Sequence, residues 1–161
     1  MFQIGLNSTS NRFTVPAAFL TYGWAYAYLM LSSRTPKQWY GLDHQGSPRE
    51  DLAKYGEAAV RDGKLTRTQL GRIQRLEAAS ANSIDGYAFF GLSVIFATVA
   101  EVPTASIAVA CSVYSVARIV YGLVYVFVED DWWSQIRGLI WWTCNASCLY
   151  LFWAGTQTSS N

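Results

Sequence analysis

At 161 residues the chain suits a single domain, and its 52% hydrophobic content sits only slightly above that of a soluble protein. Twelve Lys and Arg against eleven Asp and Glu leave a formal charge of +1, with no basic patch of interleaved aromatics, which argues against a nucleic-acid partner. Cys111, Cys144 and Cys148 all fall in apolar stretches without His or carboxylate neighbours, so they read as small buried hydrophobes, not as a disulfide framework, a metal site or a nucleophile.

The first apolar run, about 15–31, is rich in aromatics (Phe19, Tyr22, Trp24, Tyr26, Tyr28). Only Arg12 precedes it as a cation and no small-residue cleavage site follows it, so it reads as a retained membrane-spanning helix. A polar segment, 32–67, comes next, interrupted by Pro36, Gly41, Gly46 and Pro48, with room for one short helix over 49–62. A second long helix is expected over 68–99, amphipathic at first and then fully apolar. About 20 residues suffice to cross a bilayer, so this one must project or tilt. Pro103 opens a third span over 103–128, and Glu129, Asp130 and Asp131 close it. A fourth span covers 132–154, its tryptophans Trp132, Trp133, Trp141 and Trp142 lying partly at interface depth.

Short connections make sequential spans antiparallel, which predicts an all-α, integral-membrane, up-down four-helix bundle as one domain. Arg34, Lys37, Arg49, Lys54, Arg61, Lys64 and Arg67 crowd the 32–67 segment, so the positive-inside rule places it in the cytosol and both termini in the lumen. Asn7 then sits in a lumenal glycosylation sequence, whereas Asn145 fits the same pattern inside a span. The lone His44 reads as loop surface, and the acidic turn at 129–131 as either a solvated loop or a docking surface for a partner protein.

Within these spans stand residues that lipid does not tolerate cheaply. Arg or Asp at the centre of a spanning helix costs roughly 2.5–3.5 kcal/mol on the mildest insertion scale, so such groups face a partner or a polar cavity. Arg72, Arg75, Asn82 and Asp85 fall within an arc of roughly 140° on the second helix, at about 100° per residue. Tyr114, Arg118, Tyr121 and Tyr125 form one stripe on the third, and Arg137 lies about one turn into the fourth. The predicted orientation brings all three sets to one depth in the cytoplasmic half of the membrane. Two simpler roles stay open: Asp85 as the counter-charge of Arg118, and Asn82 as a polar link between helices.

These residues also carry a family resemblance. The stretch from Arg72 through Arg75 and Asn82 to Asp85 resembles the second-helix signature of the MAPEG family, membrane-associated proteins in eicosanoid and glutathione metabolism, in its fungal branch. Arg118, Tyr121 and Tyr125 are similar to the third-helix motif Arg-x-x-Tyr-x-x-x-Tyr, and Ser134 to Arg137 to the start of helix four. The resemblance implies a homotrimer in the endoplasmic reticulum membrane, with sites between protomers reached from cytosol and lipid. It implies that Arg75, Asn82, Asp85, Arg118, Tyr121 and Tyr125 surround a glutathione-like ligand, and that Arg137 stabilises a thiolate, as a cation beside a thiol does.

Three departures count against glutathione itself. Ala78 stands where glutathione-using members carry an arginine, Asp85 replaces Glu, and Gly86 replaces an aromatic. The acids at 129–131 add negative charge nearby. The favoured expectation is therefore an enzyme for a lipophilic small molecule, in which Arg118, Arg137, Asp85 and Tyr125 polarise a carbonyl and move protons in an isomerisation or cyclisation. A glutathione transferase, isomerase or peroxidase is the alternative, and a non-catalytic lipid-binding scaffold the second. No metal is expected.

Overall fold

The computed structural model describes residues 11–158 and is all-α over them. Asn7, the candidate glycosylation residue, lies outside the described residues, as do both chain ends. The elements in order are α1 (Asn11–Ala25), running directly into a π-helical turn (Tyr26–Met30), α2 (Arg34–Trp39), α3 (Asp51–Arg61), α4 (Arg67–Val99), α5 (Thr104–Phe127), α6 (Asp131–Ser134) and α7 (Ile136–Thr158).

Local sequence sets most of these boundaries. Thr66 and Gln69 form a reciprocal capping box at the start of α4, each side chain accepting the other's backbone N–H. At its far end Glu101 adopts φ 62°, while the N–H of Val102 reaches the Ala97 carbonyl and that of Glu101 reaches Thr98, a Schellman stop. Pro103 then starts α5 after a turn too short to let the chain do anything but reverse. The expected fourth span is divided. Asp130 accepts from the N–H groups of Trp132 and Trp133, starting α6 as its own turn, and shorter-range bonds through Gln135 lead into α7, which continues to Thr158.

The antiparallel order is legible in cross-helix contacts. Arg75 meets Val126, Asn82 meets Arg118, Gly86 meets Tyr114, and Thr158 returns to Ala100. The α5 helix packs on α4, α7 and α1. Their shared core holds Phe90, Val94, Ile107, Cys111, Tyr114, Cys148 and Leu151, with Phe90 stacked on Tyr114. The three cysteines are free and buried. Small residues such as Ala79, Ser83, Ser93, Ala97 and Ala110 line these contacts and let backbones approach.

Among the described residues two helices, α4 and α5, are long and apolar enough to cross a membrane. Leu92, Ile95, Val99, Val109, Val116 and Leu123 stand exposed on them, an outer face that suits lipid or another protein surface and not water.

The 32–67 segment is more organised than its sequence suggested. Besides α3 it forms α2, and both lie as a cap on the N-terminal part of α4 around Leu42, Leu52, Leu65, Leu70 and Ile73. Pro36 does not prevent α2 because it sits in the first turn, where its missing N–H is not needed. Beneath the cap Lys37, only 3% exposed, donates to the Pro48 carbonyl at 2.6 Å and to Glu77 at 3.1 Å, with the fully buried Asp51 at 3.7 Å. His44 lies at the surface as expected, yet Asp51 accepts from both its backbone N–H and its Nδ1.

Candidate functional site

Arg118 is the polar centre of the described chain. It is 4% exposed, on the face that α5 turns toward α4. Its Nη1 donates to Asn82 Oδ1 at 2.9 Å and its Nε to the Tyr114 hydroxyl at 3.2 Å. Tyr114 in turn donates a hydrogen bond to the Gly86 carbonyl, and Tyr26 donates to the Arg118 carbonyl at 2.8 Å. Among the described residues no carboxylate pairs with this cation. Two hydrogen bonds to a charged group, about 1.5–3 kcal/mol each, match the roughly 2.5–3.5 kcal/mol cost of a mid-membrane arginine. Neutral acceptors therefore suffice to hold it.

Two glycines make the arrangement sterically feasible. A Cβ on Gly86 would stand 1.9 Å from Arg118 Nη2, and one on Gly122 would stand 2.2 Å from the Tyr26 hydroxyl. The π turn contributes as well. Because the Leu31 N–H bonds to Tyr26, the Ala27 carbonyl is released and accepts from Ser80 on α4 at 3.1 Å.

From Arg118 a ladder of cations and rings runs toward the α5–α6 turn. The Arg118 guanidinium lies 5.7 Å from the Tyr121 ring centre, Tyr121 and Tyr125 are 5.6 Å apart, and Arg137 sits 4.5 Å over Tyr125. Tyr121 is buried, while Tyr125 and Arg137 are half-buried. Arg137 spends its Nε on the Ser134 carbonyl at 3.1 Å. Its two terminal nitrogens and the Tyr125 hydroxyl make no hydrogen bond to any described residue.

The structure thus gathers Asn82, Arg118, Tyr121, Tyr125 and Arg137 into one connected set. Arg75 and Asp85 take other places. Arg75 donates to the Val126 carbonyl and to Glu129 at 2.6 Å, so it fastens α4 to the end of α5. Asp85 is exposed and does not reach Arg118. It opens instead onto a cleft of about 560 Å³ lined by Ser32, Ser33, Arg34, Arg49, Glu77 and Ser80. Arg72 is exposed.

The acidic turn is partly committed within the protomer, since Glu129 pairs with Arg75 and Asp130 caps α6. A groove of about 610 Å³ between α5 and α7 is apolar. Its Thr143 and Ser147 spend their hydroxyls on their own helix, and no charged residue lines it. Among the described residues no group of three or more His, Cys, Asp or Glu is placed to hold a metal ion.

Tyr26 joins the site although pattern reading gives it no such role, and Tyr114 and Gly86 take roles there that their spacing does not reveal. Tyr114 stood in the stripe, but its role depends on a rotamer that spacing does not fix. Gly86 was noted as a departure, and its steric fit to Arg118 becomes visible only with both helices in place.

The model of the MAPEG family matches residues 13–156, nearly the whole chain. No curated protein and no solved structure matches it.

Proposed function

The chain belongs to the MAPEG family and is an integral membrane protein, and from that premise we propose that it is an enzyme that isomerises or cyclises a lipophilic small molecule. The observation that carries this reading is Arg137 over Tyr125, with the terminal guanidinium nitrogens and the phenol unspent on the described protein. A half-buried cation can hold a carbonyl oxygen as charge develops on it, and an adjacent phenol can give or receive a proton. Such a reaction moves a proton or closes a ring without changing composition, so it requires no thiol or oxidant.

In this reading Arg118 and Asn82 hold α4 and α5 in register, and Tyr121 walls the site. Asp85 faces the cleft and not the ladder, so its part in the chemistry requires a neighbouring protomer. That is one reason to favour a homotrimer of four-helix protomers with sites between them. Placement in the endoplasmic reticulum, with the cap toward the cytosol, belongs to the same proposal.

Metabolite profiling of cells expressing the chain, wild type against Arg137→Ala, tests it. The wild type is expected to convert a lipophilic compound into one of equal mass, and Arg137→Ala to lose that conversion. A product carrying the added mass of glutathione would overturn it in favour of the conventional family chemistry.

One observation supports that second reading. The cleft brings together Arg34 and Arg49 with Asp85 and Glu77 in a volume of about 560 Å³. With Arg34 paired to Asp43 and Glu77 to Lys37, Arg49 and Asp85 are left to meet a carboxylate and an ammonium. A thermal-shift titration with glutathione decides between them. A ligand at one hundred times its dissociation constant stabilises by about 2.7 kcal/mol, and no shift at millimolar glutathione removes the second reading. A scaffold role, the third, predicts that Arg137 is dispensable.

A further inference from the structure

Behind Arg118, on the side away from the ladder, α1, α4 and α5 enclose a small pocket. Its walls include Tyr22 and Tyr26 from the first helical segment, Ser83 from α4, and Tyr114, Ser115 and Arg118 from α5. The volume is about 10 Å³, and roughly 10–15 Å³ is needed to admit one water molecule. Two hydroxyls at this pocket, Tyr22 Oη and Ser83 Oγ, are shut off from solvent and have no hydrogen-bond partner among the described residues.

The other tyrosine hydroxyls around it are spent. Tyr26 donates to the Arg118 carbonyl, Tyr114 to the Gly86 carbonyl, and Tyr87 to the Leu20 carbonyl. Ser83 stands apart from Ser80, which donates to the Ala27 carbonyl across the helix contact. A serine or threonine inside a helix usually bonds back to a carbonyl three or four residues earlier. Ser93, Thr98, Thr143 and Ser147 all do so. Ser83, 3% exposed, does not.

We infer that this pocket is a binding site for a single water molecule, bridging Tyr22 on α1 to Ser83 on α4 beside the Arg118 side chain. A water can accept from one hydroxyl and donate to the other, which satisfies both. The volume admits one such molecule and excludes a larger occupant such as chloride. The water belongs to the scaffold that seats Arg118, so the inference stands whether or not the proposed reaction is correct.

A structure of the full chain in lipid nanodiscs, at a resolution that shows ordered water, tests this directly. The expected result is a density peak within hydrogen-bonding distance of both Tyr22 Oη and Ser83 Oγ. Three results would overturn it: the two hydroxyls bonded directly to each other, an empty pocket in a map that shows ordered water elsewhere in the membrane region, or an anion peak identified with bromide. Solid-state NMR of the same protein in lipid provides a second readout, a water cross-peak to the Tyr22 ring and Ser83 Hβ. In Tyr22→Phe the water cross-peak to Ser83 Hβ should vanish while the Asn82–Arg118 contact persists. Its survival at full intensity in the folded variant would also overturn the inference, and if that variant does not fold, the wild-type map and spectrum decide alone.

Discussion

Arg118 lies in the space that a side chain on Gly86 would occupy: a Cβ there would be 1.9 Å from Nη2. The buried cation on α5 and the absent side chain on α4 are therefore one feature. Gly86→Ala is expected to displace the guanidinium and sacrifice the bond to Asn82, lowering stability by about 1.5–3 kcal/mol. A double-mutant cycle with Arg118→Ala checks it, because once the guanidinium is gone the added methyl has room. The pair should cost little more than Arg118→Ala alone, a coupling expected only of side chains in contact.

Asn82 supplies one of two neutral acceptors for a cation with no carboxylate partner among the described residues. Asn82→Ala should destabilise by about 1–3 kcal/mol or more, since it leaves part of a buried charge unsatisfied. Asn82→Asp keeps an acceptor in place and adds a counter-charge, so it should be tolerated. Thermal unfolding of the two variants in the same lipid compares them, and equal losses would contradict the role given to Asn82.

Lys37 ties the cap to α4 through Glu77, Pro48 and the buried Asp51. Lys37→Ala leaves Asp51 without its cation, a change that costs about 3–5 kcal/mol when a buried pair is broken. The cap should loosen while the long helices stay folded. Limited proteolysis reports this as faster cleavage within residues 32–66, with α4 and α5 still protected.

The cap should also respond to acid through Asp43. A hydrogen bond from the Gln38 side chain at 2.9 Å, helped by the charge of Arg34, holds its carboxyl below the usual range. A depressed folded value means that stabilisation is present above the ordinary aspartate pKa of about 3.9 and is lost as pH falls through the lower folded value. A carboxyl NMR titration should show Asp43 protonating below that ordinary value, and Gln38→Ala should move it upward.

The long helices and their antiparallel order are legible in the sequence, because apolar periodicity and short turns determine them. The cap was read less well. Pro36 and the glycines suggested interruption, but a proline in a first turn is harmless, and burial of Leu42 and Leu52 against α4 is a tertiary effect. The division of the last span at Gln135 follows from Asp130 capping α6, a side-chain choice that hydropathy does not record. Arg75 and Asp85 shared a face with Asn82 on a helical wheel. Yet an arc of roughly 140° is wide enough to contact α5 at one edge and open onto a separate cleft at the other. Which residue did which depended on neighbours that spacing alone cannot supply.

Catalytic use of Arg137 separates an enzyme of this kind from a scaffold. Only its Nε hydrogen-bonds to the described protein and its other contact is the stacking over Tyr125, worth about 0.5–1 kcal/mol at an exposed site, so removing the side chain should cost little stability. The decisive measurement is product formation by Arg137→Ala in lipid nanodiscs against the wild type, with thermal unfolding recorded on both. A loss of about 100-fold or more in rate at an unchanged unfolding temperature is the predicted result, the size seen when a charge-stabilising donor is removed. Wild-type turnover by Arg137→Ala would contradict it and assign the chemistry to other residues.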